Sequence, residues 1–336
     1  MNSKRSCLDM MMRNLPPTSS IEYKTTTTED WKMSRCHYSK TIRSLLTLLC
    51  SIAVTTSSLS IMQQPCTTPV VDIGVNLTNR AFRNHWREVV KRSIDGSVDI
   101  LILTGTSMKT SRESMEMAQT WLEENRTKNL YFTVGVHPHD AKSFDSVTLE
   151  TMKDLLQHPL SVAVGECGLD YNRNFSPQQV QIVAFRDQAR LACLLQKPMF
   201  VHEREAHEDL VKVLDEVQAD NSIPPLPPIV VHCFTGTERE AQEYIRRGYY
   251  IGFTGTICKN ERGAPLRDIL PKLPLERIMV ETDAPFMGFK KGRRGSEPVD
   301  AVDVARKLSE TIGAPFDMVC ETTRASAQEF FRLGPP

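Results

Sequence analysis

Residues 161–171 read SVAVGECGLDY, and the order of residue types there decides how the rest of the chain is organised. Val162, Ala163, Val164 and Gly165 are apolar or small, the pattern of a short strand buried on both faces. They run directly into Glu166, with Gly168 and Asp170 close behind. A buried strand carries a charge at its end only where that charge is paired or bound to a metal ion. The same order recurs downstream: residues 198–201 lead into His202, 229–231 into His232, and 277–282 into Asp283. One Glu, two His and one Asp, each at the C-terminal tip of a different apolar strand, predict a hard-metal site on the mouth of a barrel.

Working outward, strand-length segments at 70–77, 98–105, 130–136, 197–202, 227–232, 249–255 and 277–282 join the opening stretch. Helix-length segments alternate with them, at 79–94, 107–125, 146–157, 177–195, 206–217, 238–247, 265–270 and 300–312, and a last one spans 316–331. Eight strands alternating with eight helices give an α/β protein, a (β/α)8 TIM-type barrel, occupying 70–336 as one domain. The Pro-rich piece at 223–228 is a stiff connector before strand six.

Residues 1–69 have a different texture, rich in Ser, Thr and Met and without sustained periodicity. They are expected to be a separate extension, disordered or targeting. No charge occurs from 44 to 62, with Lys40 and Arg43 just ahead, so a membrane-inserted segment or an import leader is the alternative. Eight Lys/Arg against four Asp/Glu make this extension +4, which leaves 33 against 37, or −4, for the body. A mildly acidic body excludes a non-specific nucleic-acid coat, so any polyanion must be gripped locally. The nine Cys include no CxxC pair. Cys167, Cys193, Cys233 and Cys258 lie in or beside apolar segments, the usage of reduced core thiols, which favours a reducing compartment such as cytoplasm or nucleus.

The four strand-end residues suit a divalent ion: imidazoles with carboxylates fit Zn, Mn or Fe, and carboxylates with water fit Mg. Such an ion lowers the pKa of a bound water and polarises a phosphoryl or carbonyl oxygen. Glu166 is the natural bridging ligand if two ions bind, and Asp283 is at once a candidate ligand and the base for the water's proton. Around the same rim stand His137 and His139, then Asp170, Tyr171 and Arg173, then Arg204 and His207, and Thr235 with Gly236; of these His137, His139, Arg173 and Arg204 are expected to bind substrate. Gly236 leads into a helix, a place where backbone N–H groups receive phosphate. Lys290, Lys291, Arg293 and Arg294 in KKGRRG form the densest basic cluster of the body, expected to clamp a substrate's phosphates.

The phrases DIGVNLT, GVHPHD, GECGLD with NRNFS, VHCFTGT, YYIGFTG and ETDAPF, in this order and spacing, resemble the TatD deoxyribonucleases, metal-dependent members of the amidohydrolase-like barrels. The resemblance runs from about Val70 to the C-terminus. It implies hydrolysis of phosphodiester bonds, a 3′→5′ exonuclease on mainly single-stranded DNA, with Mg²⁺ (or Mn²⁺ or Zn²⁺) as cofactor. By motif position it makes Glu166, His202, His232 and Asp283 the metal ligands. Two departures stand out. Many relatives open strand one with Asp-x-His-x-His, whereas this chain has Asp72, Gly74 and Asn76 at those places, leaving Asp72 or Asn76 as oxygen ligands and favouring loosely held Mg²⁺. In addition, Glu203 replaces a smaller neutral residue, and the spacing after strand eight is altered around Arg293, Arg294, Glu297 and Pro298. The rival enzymatic reading is an amidohydrolase acting on a small cyclic amide or ester. The absent strand-one His pair and strand-four Lys count against it. A metal-free binding scaffold is the non-enzymatic rival, and retention of all four ligands opposes it.

Overall fold

The computed structural model describes residues 68–334. Eight parallel strands pair in chain order, β1 Val70–Val75, β2 Val98–Leu103, β3 Leu130–Val134, β4 Ser161–Asp170, β5 Met199–Arg204, β6 Ile229–His232, β7 Tyr250–Phe253 and β8 Ile278–Val280. Nearly every strand residue is buried, as expected of parallel strands covered on both faces. Helices α1 Trp86–Asp95, α2 Met108–Asn125, α3 Ser146–Leu156, α4 Gln178–Leu195, α5 His207–Gln218, α6 Glu238–Arg246, α7 Asn260–Ile269 and α8 Ala301–Ile312 follow their strands. A further helix, α9 Phe316–Phe331, packs against β1 and β8. The predicted barrel is therefore present. Residues 1–67 of the 1–69 extension, with its membrane or leader readings at 44–62, lie outside the described residues. Among the described residues no helix is long and apolar enough to cross a membrane. Among the described residues Cys167, Cys193 and Cys320 are buried, Cys233 and Cys258 are half-buried, and none of the five is in a disulfide.

Three of the boundaries that differ from the sequence reading have a clear local cause. The first helix starts at Trp86 instead of 79, because Asn79 bends the chain into a turn with its side chain accepting from the Ala81 N–H. The seventh helix starts at Asn260, five residues before Pro265, with Arg267 donating to the carbonyls of Ile257, Lys259 and Asn260 at its entry. The third and most important is β4, which does not stop at Glu166 but stays paired with β5 through Asp170↔Arg204. Gly168 permits this: its φ is +141°, and a Cβ there would lie 1.9 Å from the carbonyl oxygen of His202.

The barrel seam is unusual. Between β1 and β8 a single bridge, Val75↔Ala284, is joined by Asp283 N–H to Gly74 O at 2.9 Å and Asn76 N–H to Ala284 O at 2.8 Å. Just past β8, the donors of Thr282 are met by a side chain instead of by β1 backbone. Asp72, fully buried, accepts from Thr282 N–H at 2.9 Å and from the Thr282 hydroxyl at 2.5 Å. This corrects the reading of Asp72 as a metal ligand: its carboxylate is committed to closing the barrel.

Candidate metal centre at the barrel mouth

Of the four predicted ligands only His232 is the last residue of its strand. Glu166 lies inside β4, His202 inside β5, and Asp283 three residues past β8. They nevertheless line one cavity of about 430 Å³ at the C-terminal ends of the strands. At its base, Glu166 Oε1 is 3.2 Å from His137 Nε2, 3.1 Å from His202 Nδ1 and 2.8 Å from His232 Nε2. His137, Glu166 and His202 have their ligand atoms within 4.8 Å of one another, the spacing of a metal-binding group.

Hydrogen bonds on the far side of each ring determine what that ring offers the centre. His232 Nδ1 lies 3.2 Å from Glu281 Oε2, which orients its Nε2 lone pair inward. His202 Nε2 lies 3.3 Å from Asp170 Oδ2, leaving Nδ1 inward. Both follow the carboxylate–histidine–metal pattern. His137 is the reverse case: its Nδ1 accepts from the His139 N–H at 3.1 Å, so its Nε2 carries the hydrogen. Although it lies within ligand distance, it is thereby suited to donate, to Glu166 or to an anionic substrate oxygen. Glu281, absent from the sequence-derived set, is fully buried, and its Oε1 accepts from the Cys233 N–H. Its slot is cut by two glycines, since a Cβ at Gly74 would lie 2.5 Å from Oε2 and one at Gly252 2.4 Å from Oε1.

Electrostatics follow from this packing. Burial works against the charged form of Glu166, but His232 and His137 outweigh it and hold the carboxyl well below its usual range. Burial also opposes a proton on His232 and on His202. The adjoining carboxylates win in both cases, Glu166 and Glu281 at His232, Asp170 and Glu166 at His202. For His137 burial prevails and the pKa falls, in keeping with a neutral ring. Burial pushes Asp283 up to about 7, with Glu166 and Glu281 adding to the rise and His232 and the Asn76 hydrogen bond opposing it. Asn76, at the second vacant His position, donates to Asp283 Oδ1 at 2.9 Å. Carboxylate and imidazole lone pairs directed at one point form a donor set that fits a divalent metal ion.

The rim residues divide. His139, Arg173, Arg204 and Thr235 line the cavity, and neither arginine has an ion-pair partner among the described residues. His139 Nε2 is 2.8 Å from Asp170 Oδ2. His207 lies behind the wall, its ring centre 5.0 Å from that of Tyr244, and Glu203 is tied to the Ala206 N–H and the Tyr244 hydroxyl. At Gly236 the phosphate reading fails for a local reason: Glu240 accepts from the Thr237 N–H at 2.6 Å in a capping box, placing a carboxylate where an anion would bind. Lys290, Lys291, Arg293 and Arg294 are not among the lining residues. Lys290 pairs with Asp300 and Asp303 at 2.8 and 2.6 Å, and Arg293 pairs with Asp300. Lys291 and Arg294 are exposed.

Fold and site together define an α/β-barrel protein with a buried carboxylate–imidazole cluster at the strand ends that fits a divalent metal ion. The family model described as TatD related DNase matches residues 71–332, and the chain belongs to that family. It is 39% identical over 267 residues to a 3′-5′ ssDNA/RNA exonuclease TatD of Citrobacter rodentium, covering 78% of this chain and 97% of the relative. It is 37% identical to the protein of the same name from Escherichia coli K12, covering 78% and 98%. Among solved structures, a TatD homologue from Escherichia coli K12 superposes with a TM-score of 0.70 at 27% identity, covering 79% of this chain and 98% of that one.

Proposed function

We propose that this chain is a metal-dependent nuclease, a hydrolase of phosphodiester bonds, acting as a 3′→5′ exonuclease on single-stranded DNA with Mg²⁺ as the working ion. The observation that carries the reading is the convergence of His202 Nδ1 and His232 Nε2 on Glu166 Oε1 at the base of a cavity whose wall holds Arg173 and Arg204. A divalent ion held by Glu166, His202, His232 and Asp283 would supply an activated water and a Lewis acid for the phosphoryl oxygen. Asp283 would accept the proton of the attacking water. His137 donates from Nε2 to a phosphoryl oxygen, and the two arginines position the phosphate by paired N–H donors. The missing strand-one imidazoles at Gly74 and Asn76 leave fewer nitrogen ligands, which favours an exchangeable oxygen-loving ion over tightly held zinc.

The test is hydrolysis of end-labelled single-stranded DNA and RNA by the purified chain, with Mg²⁺, with Mn²⁺ and with EDTA. Cleavage from the 3′ end that stops on chelation and returns with Mg²⁺ is expected. Glu166→Ala and Asp283→Asn should each lower turnover at least about a hundredfold with unchanged circular dichroism. Near-normal turnover in either variant would remove it from the site, and activity in EDTA would end the metal reading.

A further inference from the structure

Among the described residues every Phe, Tyr and Trp but two is buried or half-buried. The exceptions are Phe175 and Phe286, 59% and 50% exposed; Phe286 lines the cavity, and Phe175 packs against His139, which lines it. Phe286 is part of the cavity wall, three residues after Asp283. Phe175 follows β4 and presents its ring at 90° to that of His139, with centroids 4.8 Å apart. In an eight-stranded ring β4 and β8 are four strands apart, so the two rings rise from opposite sides of the rim.

Neither ring is exposed because its backbone is loose. The Phe286 N–H donates to Asp283 O at 2.8 Å, and its carbonyl accepts from the Ser296 hydroxyl. Ser176, next to Phe175, is buried and donates to His139 O at 2.9 Å, while Asn174 donates to Tyr171 O at 2.5 Å. Two large apolar rings are thus held in water on a fixed scaffold, beside the phosphate-facing arginines Arg173 and Arg204. A flat π face next to a cationic groove is the arrangement that holds single-stranded nucleic acid.

We infer that Phe175 and Phe286 are base-stacking residues that hold the terminal nucleobases of a single strand on either side of the scissile phosphate. This rests on the nuclease reading above and deepens it: the rings select a strand whose end bases are unpaired and free to stack, and they read no sequence, since every base offers a π face.

The experiment uses the full chain and an oligo-dT carrying 2-aminopurine at its 3′ end, in EDTA so that binding is read without hydrolysis. Stacking quenches 2-aminopurine, so the wild type should quench it. Phe175→Ala and Phe286→Ala should weaken binding about five- to 150-fold each and relieve the quenching. Phe→Trp at either position should retain both, and Phe→Leu, which keeps apolar bulk, should lose the quenching. With Mg²⁺, the wild type should prefer a normal 3′ end over one whose terminal base is missing, and the Ala variants should lose that preference. Ala variants that quench and discriminate like the wild type would overturn the inference, and would leave the rings to a protein partner. Hydrolysis without quenching would overturn stacking alone. Quenching without hydrolysis in Mg²⁺ or Mn²⁺ would overturn the nuclease reading and leave stacking in place.

Discussion

At the scale of single residues, the centre depends on a group that touches no substrate. Glu281 holds His232 by Nδ1 and is itself held by the Cys233 N–H in a slot that Gly74 and Gly252 leave open. Glu281→Gln preserves the shape but removes the charge that fixes the tautomer of His232. Affinity for Mn²⁺, measured by calorimetric titration, should fall about ten- to a hundredfold. An unchanged affinity would show that packing alone orients the ring. The argument that singled out Glu166, a charge in an otherwise apolar strand, applies equally to Glu281 in RIMVET. It also lies two residues from Asp283, so the pair alternates on one face of an extended chain. What concealed Glu281 was the expectation of one ligand per strand tip. The sequence places His137 on the rim as a substrate contact but does not say which ring nitrogen it presents, because that depends on the nitrogen the His139 N–H occupies.

At the scale of elements, strand order and helix alternation were legible because buried parallel strands read as short apolar runs. The length of β4 was not, since Gly168 permits an approach to His202 that depends on a partner 34 residues away. Nor was the seam, where a side chain substitutes for a ladder. Burial raises Asp72 well above its usual 3.8, against the lowering effect of its bonds from Thr282 and Gly74. A raised carboxyl keeps its proton in the folded state after the unfolded chain has lost it. Its contribution is therefore greatest below about pH 4 and is lost as the pH rises from the unfolded towards the folded pKa. Urea midpoints of the wild type and Asp72→Asn, compared from pH 4 to 7, should show the wild type losing ground to the variant as pH rises. A difference that grows the other way would mean that the Thr282 and Gly74 donors govern the site.

For the whole molecule, charge governs how a polyanion arrives. The body carries −4, so long-range attraction is poor and the grip is local. Sequence density pointed to KKGRRG, but density does not reveal pairing, and Asp300 and Asp303 neutralise two of its four cations. Arg173 and Arg204, farther apart in sequence, share the cavity. Each phosphate neutralised on a single strand contributes about −0.7 to the slope of log affinity against log salt. Replacing both arginines with Ser should therefore flatten that slope by about 1.4, and raise KM for oligonucleotides more than it lowers kcat. Replacing Lys291 and Arg294 instead should change the slope less. Parallel slopes for wild type and the arginine double variant would return the grip to the basic loop.

The segment after β4 carries both Arg173 and Phe175, and it is suspended from α4. Gln181 accepts from the Asp170 N–H at 2.8 Å and donates to the carbonyls of Asp170 and Ser176 at 3.0 and 2.8 Å, while the Arg173 N–H is held by Asp170 Oδ1 at 2.9 Å. Ordering a loose backbone costs about 1–2 kcal/mol per residue. Here that loss of freedom is incurred once, when the barrel folds, and not at each encounter with a strand end. Association then becomes docking onto a preset surface, its speed set by collision and orientation, and departure requires no loop to unlatch. A rim already in place lets each incoming strand find its contacts without a folding step.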